Sequence, residues 1–181
     1  MNNSIISSRY AKALLLIGKE HHCLEALEFD MEFLSALVKD NSVFARVLDN
    51  NPVIKPSQKR KVISELLADR VHPMTINFIN MTIRNRREFM LPDVARRFVD
   101  LYEELKGIKR VRITSAVGLD KETTNRLHDR LNALLKAEVR MVAEVNPDLI
   151  GGFILRVGDQ QYDASLSANL KRMRKAMSAE R

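Results

Sequence analysis

The change of hydrophobic period near Gly107 constrains the fold of this chain more than any other feature of its sequence. Before that glycine, apolar residues recur every three to four positions through six segments separated by turn signals such as Asn51-Pro52. This spacing is typical of amphipathic helices, whereas the alternation that follows the glycine is typical of strands. The sequence therefore predicts an α+β protein, with an N-terminal six-helix bundle over residues 1–105 and a small C-terminal α+β domain over residues 108–181.

The second half is predicted to contain a short sheet and two helices. Val111 and Ile113 alternate with polar residues, as expected of a strand with one buried face. Asp120 is placed to cap a helix, and a second alternating segment ends at Asn146-Pro147, because proline cannot donate to a central ladder. The last helix carries an apolar stripe at helical spacing, made of Leu166, Leu170, Met173 and Met177.

The composition is that of an ordinary globular protein. A hydrophobic share of 45% with 29% charged residues allows a core to form. The longest apolar run, Ala13–Ile17, is far shorter than the ~18 residues that span a bilayer, and the N-terminus lacks a targeting pattern. We therefore expect a protein that is cytoplasmic or attached to the inner face of a membrane through partners. The net charge of +7 is spread along the chain without interleaved aromatic residues, which favours solvated surfaces.

We expect no catalytic, cofactor or metal site. Cys23 is the only cysteine, so neither an internal disulfide nor a multi-cysteine zinc site can form. His21 and His22 precede it, which leaves a metal ligand as an alternative to the simpler interpretation of a half-buried thiol. Leu149–Gly152 lacks the spacing and the lysine of a phosphate loop. No serine lies in a nucleophile-elbow context.

Two of the predicted helices are apolar on two sides. One stripe of the first helix contains Ile6, Tyr10, Ala13, Leu14 and Ile17, and a second contains Ala11 and Leu15. In the fifth helix, apolar residues lie on both sides of a polar edge that includes Asn77. A surface helix needs only one buried stripe. The second stripe indicates either a central helix or a surface kept for a partner helix, and the sequence alone leaves both interpretations open.

One segment of the second half resembles the signature of a known family. The pattern Val139-x-Met141-x3-Val145-Asn146-x2-Leu149-x-Gly151-Gly152-Phe153-x-Leu155-Arg156-x-Gly158 is similar to that of the ATP synthase delta family, which includes the mitochondrial oligomycin-sensitivity-conferring protein. Tyr162–Ser165, Arg9–Leu14 and Arg84–Leu91 resemble other parts of the family. The resemblance extends from about Ser8 to Met173. Arg86-Arg87-Glu88 departs from it by being more charged than expected.

The resemblance implies a non-enzymatic stator subunit of a bacterial F-type ATP synthase. The helical half would bind the N-terminal segments of the alpha subunits of the catalytic head, and the smaller half would bind the b subunits of the peripheral stalk. One copy would be present per complex, peripheral to the cytoplasmic side of the inner membrane, with no contact to nucleic acid. The residues expected at the alpha-subunit surface are Tyr10, Ala13, Leu14, Asn77 and Met81.

The signature residues also have roles that follow from their chemistry. Pro147 ends a strand, and Gly151 and Gly152 permit positive φ or close approach of two backbone segments. Gly158 precedes Asp159 at a turn. Asp163 and Ser165 stand where their oxygens can accept hydrogen bonds from the free N–H groups of the last helix. We interpret these residues as architectural, with direct partner contact as the alternative.

A second class of function is compatible with the isoelectric point of about 9.7. A basic RNA- or ribosome-associated protein would have a similar charge. Co-purification with a membrane-bound ATPase would indicate the stator, whereas RNA retention that is lost at high salt would indicate the alternative.

Overall fold

The computed structural model describes residues 3–49, 55–67 and 70–179. The chain divides into two compact units, Met1–Tyr102 and Glu103–Arg181. This division lies slightly earlier than the predicted boundary between residues 105 and 108.

The earlier boundary has an electrostatic reason. Glu103 lies in the last turn of the sixth helix and is buried, and its Oε1 is 2.9 Å from a guanidinium nitrogen of Arg110 and 3.4 Å from one of Arg140. Both arginines belong to the second unit. The end of the helix therefore packs with the residues that follow it in sequence.

The first unit is helical, and the second combines helices with a sheet. Within the described residues, the first unit contains α1 (Asn3–Glu20), α2 (Leu24–Asp40), α3 (Ser42–Leu48), α4 (Pro56–Leu67), α5 (Pro73–Arg84), a 3₁₀ turn (Glu88–Met90) and most of α6 (Leu91–Lys106), whose last turn belongs to the second unit. The second contains β1 (Lys109–Ser115), α7 (Lys121–Leu135), β2 (Val139–Val145), β3 (Phe153–Val157), β4 (Gln160–Asp163) and α8 (Leu166–Ala179). This content confirms the predicted α+β class.

The fifth helix is shorter than its periodicity suggests. The apolar spacing predicts a helix that continues to about Phe89, but α5 ends at Arg84. Arg86 has a φ of 55°, a left-handed conformation that no right-handed helix can continue through. The chain turns there and re-enters the core at the 3₁₀ turn, where Glu88 and Met90 are buried.

α1 packs against its neighbours through a narrow face of mostly small residues. Ser7, Ala11, Leu14 and Gly18 are buried and recur at helical spacing. At Gly18 an added Cβ would lie 2.7 Å from Leu27 Cδ1 of α2, closer than ordinary carbon contacts. The absence of a side chain there allows α1 and α2 to approach closely.

Buried polar residues join distant parts of the first unit. Asp30 of α2 accepts hydrogen bonds from the backbone N–H of His72 (2.8 Å) and from the hydroxyl of Thr75. These two donors belong to the first turn of α5 and the residue before it, where backbone N–H groups lack helical partners. Asp30 thereby ties the start of α5 to α2.

A buried ion pair connects α4 to the 3₁₀ turn. Lys59 Nζ lies 2.6 Å from Glu88 Oε1, and both side chains are almost completely buried. The same ammonium donates to the backbone oxygen of Asp49 at 2.7 Å. Within the described residues, the second carboxylate oxygen of Glu88 has no hydrogen-bond partner. The charged segment that departs from the family pattern therefore contains a core residue.

The sheet of the second unit has the strand order β2-β1-β3-β4. β1 pairs parallel with β2 and antiparallel with β3, and β3 pairs antiparallel with β4. The parallel pair requires a crossover, which α7 provides. Val111 and Ile113 of β1, Leu131 of α7 and Val139 of β2 form the core on one face of the sheet.

We expect Lys59→Met to destabilise the protein strongly. The substitution leaves the carboxylate of Glu88 buried without its counter-charge, and breaking a buried pair in this way costs about 3–5 kcal/mol. Urea denaturation of the full-length chain measures the loss. The double variant Lys59→Met/Glu88→Leu should recover most of it, because no charge then stays buried. If the double variant were as unstable as the single one, lost packing would be the cause and the buried charge would be irrelevant.

Candidate partner-binding surfaces

Tyr10 joins α1 to α5 and to the segment after it. Its ring packs edge-to-face against Phe78 of α5, with centroids 6.2 Å apart and an interplanar angle of 70°. Arg87 Nη1 donates to the Tyr10 hydroxyl at 3.1 Å, and its guanidinium carbon lies 5.8 Å from the ring centroid. The side-chain amide of Asn85 is 3.5 Å from the same hydroxyl. The half-buried ring is therefore held on one edge and faces solvent on another.

The side of α1 that points away from its neighbours exposes four apolar residues. They are Ile5, Ala13, Leu16 and Ile17, of which Leu16 is 66% exposed, and the charged residues Arg9 and Glu20 lie among them. An isolated exposed leucine is normal on a protein surface. A group of apolar residues at helical spacing on one helix is different, because such a face is ordinarily buried.

α5 adds two exposed residues close to Tyr10. Asn77 and Met81 are four positions apart and share one face of the helix, and Phe78 between them contacts the Tyr10 ring. We call the combined set the α1–α5 surface; it consists of Ile5, Tyr10, Ala13, Leu16, Ile17, Asn77 and Met81. Four of the five residues expected at the alpha-subunit surface belong to this set.

Leu14, the fifth expected residue, lies elsewhere. It is 1% exposed and belongs to the narrow core face of α1. Ala11 is buried and Leu15 half-buried, so the second stripe of the sequence also lies on the core side. By helical spacing Ile5 and Leu16 lie on the flank of the second stripe of α1, and both are exposed in the structure. The signal that separates its faces is the run of small residues at positions 7, 11 and 18.

Two glycines of the signature segment, Gly151 and Gly152, lie against the residues at the start of α8. Gly152 has a φ of 82°, and a Cβ on it would stand 2.4 Å from the backbone oxygen of Ala164. A Cβ on Gly151 would stand 2.7 Å from Leu166 Cδ1. Gly158 has a φ of 56° in the turn between β3 and β4, but a Cβ there would meet nothing within 4 Å.

The start of α8 is capped by two side chains. Asp163 Oδ1 accepts from the backbone N–H of Ser165 at 2.9 Å, and Ser165 Oγ accepts from the backbone N–H of Ala168 at 3.2 Å. These acceptors satisfy N–H groups that a helix start leaves free. Hydrogen bonding to Ser165 is the largest cause that lowers the pKa of Asp163 below its ordinary value of 3.8.

Pro147 follows β2 in an exposed turn. The N–H of Asn146, just before it, donates to the backbone oxygen of Ser115 at 2.9 Å, which closes the end of the parallel pair. The side-chain oxygen of Asn146 accepts from the N–H of Asp148 at 3.0 Å. The strand therefore ends in a hydrogen-bonded turn around the proline.

The face of the sheet that α7 leaves open is basic. It carries Arg110, Arg112, Arg140 and Arg156, with Arg110 in register with Arg140 and Arg112 in register with Arg156. Glu103 pairs with two of them, and Glu144 lies 3.4 Å from the guanidinium of Arg112. Much of the positive charge is thus balanced inside the protein, which favours a solvated face over a nucleic-acid site.

Cys23 is half-buried and its thiol is free. Among the described residues, no group of three histidines, cysteines or carboxylates is arranged to hold a metal ion. In the same part of the chain, no helix has both the length and the apolar composition that crossing a bilayer requires.

We expect Gly152→Ala to destabilise the protein more than Gly158→Ala does. Both positions have positive φ, which costs a non-glycine residue about 1–2 kcal/mol. Only at Gly152 does the new Cβ also meet backbone atoms. The difference between the two variants in urea denaturation therefore isolates the close contact with Ala164. Equal losses would show that the contact relaxes without cost.

Asp163 should make the stability of the protein depend on pH in the acid range. Its pKa is lower in the folded state than in the unfolded state. The stability that its carboxylate contributes is therefore present above the ordinary pKa and is lost as pH falls through the folded pKa. Asp163→Asn keeps an acceptor oxygen but does not titrate. The gap in urea midpoint between wild type and this variant should narrow from about pH 6 to about pH 3. A gap that stays constant over that interval would contradict the role of the carboxylate.

Comparison with known proteins identifies the family. The family described as "ATP synthase delta (OSCP) subunit" matches residues 6–177. The ATP synthase subunit delta of Symbiobacterium thermophilum is 36% identical over 173 residues, covering 96% of this chain and 92% of that protein. The subunit delta of Christiangramia forsetii is 34% identical over 177 residues, covering 98% and 95%.

A solved structure has the same fold. It is a chain of the Toxoplasma gondii mitochondrial ATP synthase hexamer determined by cryo-EM, with a TM-score of 0.75 and 23% sequence identity. The match covers 94% of this chain and 96% of that chain. Together with the family match over nearly the whole length, this confirms the resemblance of the signature segment: the chain belongs to the ATP synthase delta (OSCP) subunit family.

Proposed function

We propose that this chain is a non-catalytic stator subunit of a proton-translocating F-type ATP synthase. It links the alpha subunits of the catalytic head to the b subunits of the peripheral stalk. Membership of the delta family and relatives named ATP synthase subunit delta support this function. The structural observation that carries it is the α1–α5 surface, where exposed apolar residues of α1 lie beside Tyr10 and two exposed residues of α5.

The occupant of the α1–α5 surface is an amphipathic helix from the N-terminus of an alpha subunit. Such a helix would cover the exposed apolar residues of α1, and each large side chain that becomes fully buried contributes about 1.5–3 kcal/mol. Ala13 is small and exposed, so a partner backbone can come close to α1 at that point. Tyr10 offers a flat ring already fixed by Arg87, which lowers the entropy lost on binding.

The two halves of the chain have separate partners in this proposal. Residues 1–105 act as one six-helix bundle that binds the head, and residues 108–181 bind the stalk. One copy serves each complex and is held at the cytoplasmic side of the membrane through its partners. Rotation of the central rotor drags on the head, and the link resists that drag so that proton flow stays coupled to ATP synthesis.

A link of this kind must be rigid as well as bind its partners tightly. Two buried charged contacts, Asp30 with the start of α5 and Lys59 with Glu88, favour one arrangement of the helices. Any other arrangement would leave a buried charge without its partner. α5 and the segment after it carry Asn77, Met81 and the residues that hold Tyr10. The surface is therefore built on parts of the unit that buried polar contacts position.

We expect Ala13→Asp to abolish alpha-subunit binding without unfolding the protein. The new carboxylate would face water in the free chain, but the docked helix would bury it unpaired, at a cost of several kcal/mol. Calorimetric titration with an alpha-subunit N-terminal peptide should show at least ~100-fold weaker binding, or ~2.7 kcal/mol. The melting temperature should fall by only a few degrees, as expected from the lower helix propensity of aspartate.

Ala36→Asp is the matched control. It makes the same substitution at an exposed alanine of α2, outside the α1–α5 surface. It should lower the melting temperature similarly and leave peptide binding unchanged. Unfolding by Ala13→Asp would place Ala13 in the core, and unchanged binding would place the alpha-subunit site elsewhere on the chain.

A further inference from the structure

The sheet of the second unit carries an open cleft that is lined by arginine side chains. The cleft has a volume of about 200 Å³, and its lining residues are Arg110 and Arg112 of β1, Arg156 of β3, and Gly158. Gly158 follows Arg156 by two positions, and a Cβ added to it would meet nothing within 4 Å. The missing side chain therefore leaves the cleft open on that side. We call this site the arginine cleft.

The arginines of this face stand opposite one another in two pairs. Arg110 is in register with Arg140 of β2, and Arg112 is in register with Arg156. Like charges on neighbouring strands destabilise a sheet unless an anion lies between them. At the first pair the chain supplies that anion, because the buried carboxylate of Glu103 lies 2.9 Å from Arg110 and 3.4 Å from Arg140.

The second pair has no equivalent of Glu103. The carboxylate of Glu144 lies 3.4 Å from Arg112 Nε, but both side chains are about half exposed, so water and salt screen the contact. Among the described residues, no carboxylate lies within ion-pair distance of Arg156, whose Nε is 3.4 Å from the backbone oxygen of Gly158. Most of the five N–H donors of Arg156 are therefore open to a ligand in the cleft.

We propose that the arginine cleft binds a phosphate group between Arg112 and Arg156. A phosphate has several acceptor oxygens and more than one negative charge, so it can accept paired hydrogen bonds from two guanidiniums at once. The basic residues that line the cleft are all arginine, the side chain whose planar fork matches phosphate oxygens in this way. The bound anion takes the place at the second pair that Glu103 has at the first.

The lining of the cleft also defines what accompanies the phosphate. None of its lining residues is aromatic, so no ring is present to stack on a nucleobase. The ligand is therefore a phosphate group without a base, either a free phosphate or pyrophosphate or the phosphomonoester headgroup of an anionic lipid. The same guanidiniums would bind both sources. The site does not depend on the stator function proposed above.

The test uses the full-length protein with pyrophosphate as the probe, in calorimetric titrations and thermal melts. Sodium chloride at the same ionic strength is the reference, because it screens charges without bridging two guanidiniums. Arg156→Gln removes the arginine that lacks a carboxylate. Arg130→Gln is the matched control, since it removes the same charge from an exposed position of α7, outside the cleft.

Wild type should melt at a higher temperature in pyrophosphate than in chloride, because a ligand that binds only the folded state stabilises it. Arg156→Gln should bind pyrophosphate at least about tenfold more weakly, since it loses charge-assisted hydrogen bonds. In chloride it should melt no lower than wild type, because it relieves the like charge opposite Arg112. Arg130→Gln should bind within about twofold of wild type.

Glu144→Gln should have the opposite effect and bind pyrophosphate at least about twofold more tightly. The substitution frees Arg112 from the carboxylate that competes with the ligand. Glu122→Gln removes an exposed carboxylate of α7 and should change the affinity less. A gain at Glu144 alone separates a site in the cleft from a general effect of net charge.

Sedimentation with phosphatidylcholine vesicles that contain phosphatidic acid distinguishes the two sources of phosphate. If wild type sediments with them and Arg156→Gln does not, the group belongs to a lipid headgroup, whereas binding of pyrophosphate alone assigns it to a free anion. The proposal is wrong if wild type binds neither probe, or if Arg156→Gln binds both as wild type does. A variant Arg156→Gln that melts well below wild type in chloride would also refute it, because the arginine would then be structural.

Discussion

The narrow core face of α1 is the constraint on which the first unit depends. Three of the four residues on this face are small, and at Gly18 even a methyl group would crowd Leu27 of the next helix. Close approach lets α1 pack through one strip of its surface. The helix can then carry a second apolar side that faces solvent without losing its place in the fold. That second side is the part of α1 available to a partner.

The buried ion pair extends this constraint to the partner surface. Lys59 holds Glu88 inside the unit at 2.6 Å, and Arg87 directly precedes Glu88 in the chain. The backbone at Arg87 is therefore fixed from the inside, and its guanidinium reaches outward to the Tyr10 hydroxyl. A contact of this kind orients a half-buried aromatic ring through a buried charge. The charged segment Arg86-Arg87-Glu88 thus includes one core anchor and one support for the surface.

Much of the fold could be predicted from the sequence, because periodicity and turn residues are local signals. The helical first half, the alternating strands after Gly107 and the close backbone approach at Gly152 were accessible in this way. The positive φ of Arg86, which ends α5 early, was not, because arginine carries no preference for that conformation. The pairing of Lys59 with Glu88 joins residues 29 positions apart and leaves no local pattern.

The faces of the amphipathic helices were the least predictable part of the candidate site. Apolar periodicity shows that a side of a helix avoids water but not which neighbour covers it. For that reason Leu14 was assigned to the partner surface although it is buried. Packing among distant segments decides such a case.

The two exposed apolar faces differ in chemistry, and this difference provides specificity. The α1–α5 surface combines aliphatic residues with an aromatic ring and an amide, whereas the side of α8 that exposes Leu166, Leu170 and Met173 has no aromatic residue. Both surfaces have basic neighbours, because Arg9 precedes Ala13 by one helical turn and the charged residues of α8 are all basic. The aromatic ring and the amide are therefore what distinguish the first surface from the second. A protein that joins two different partners needs such a distinction, because two similar surfaces would each accept either helix. In the function proposed above, this contrast in chemistry lets one small chain distinguish its two partners.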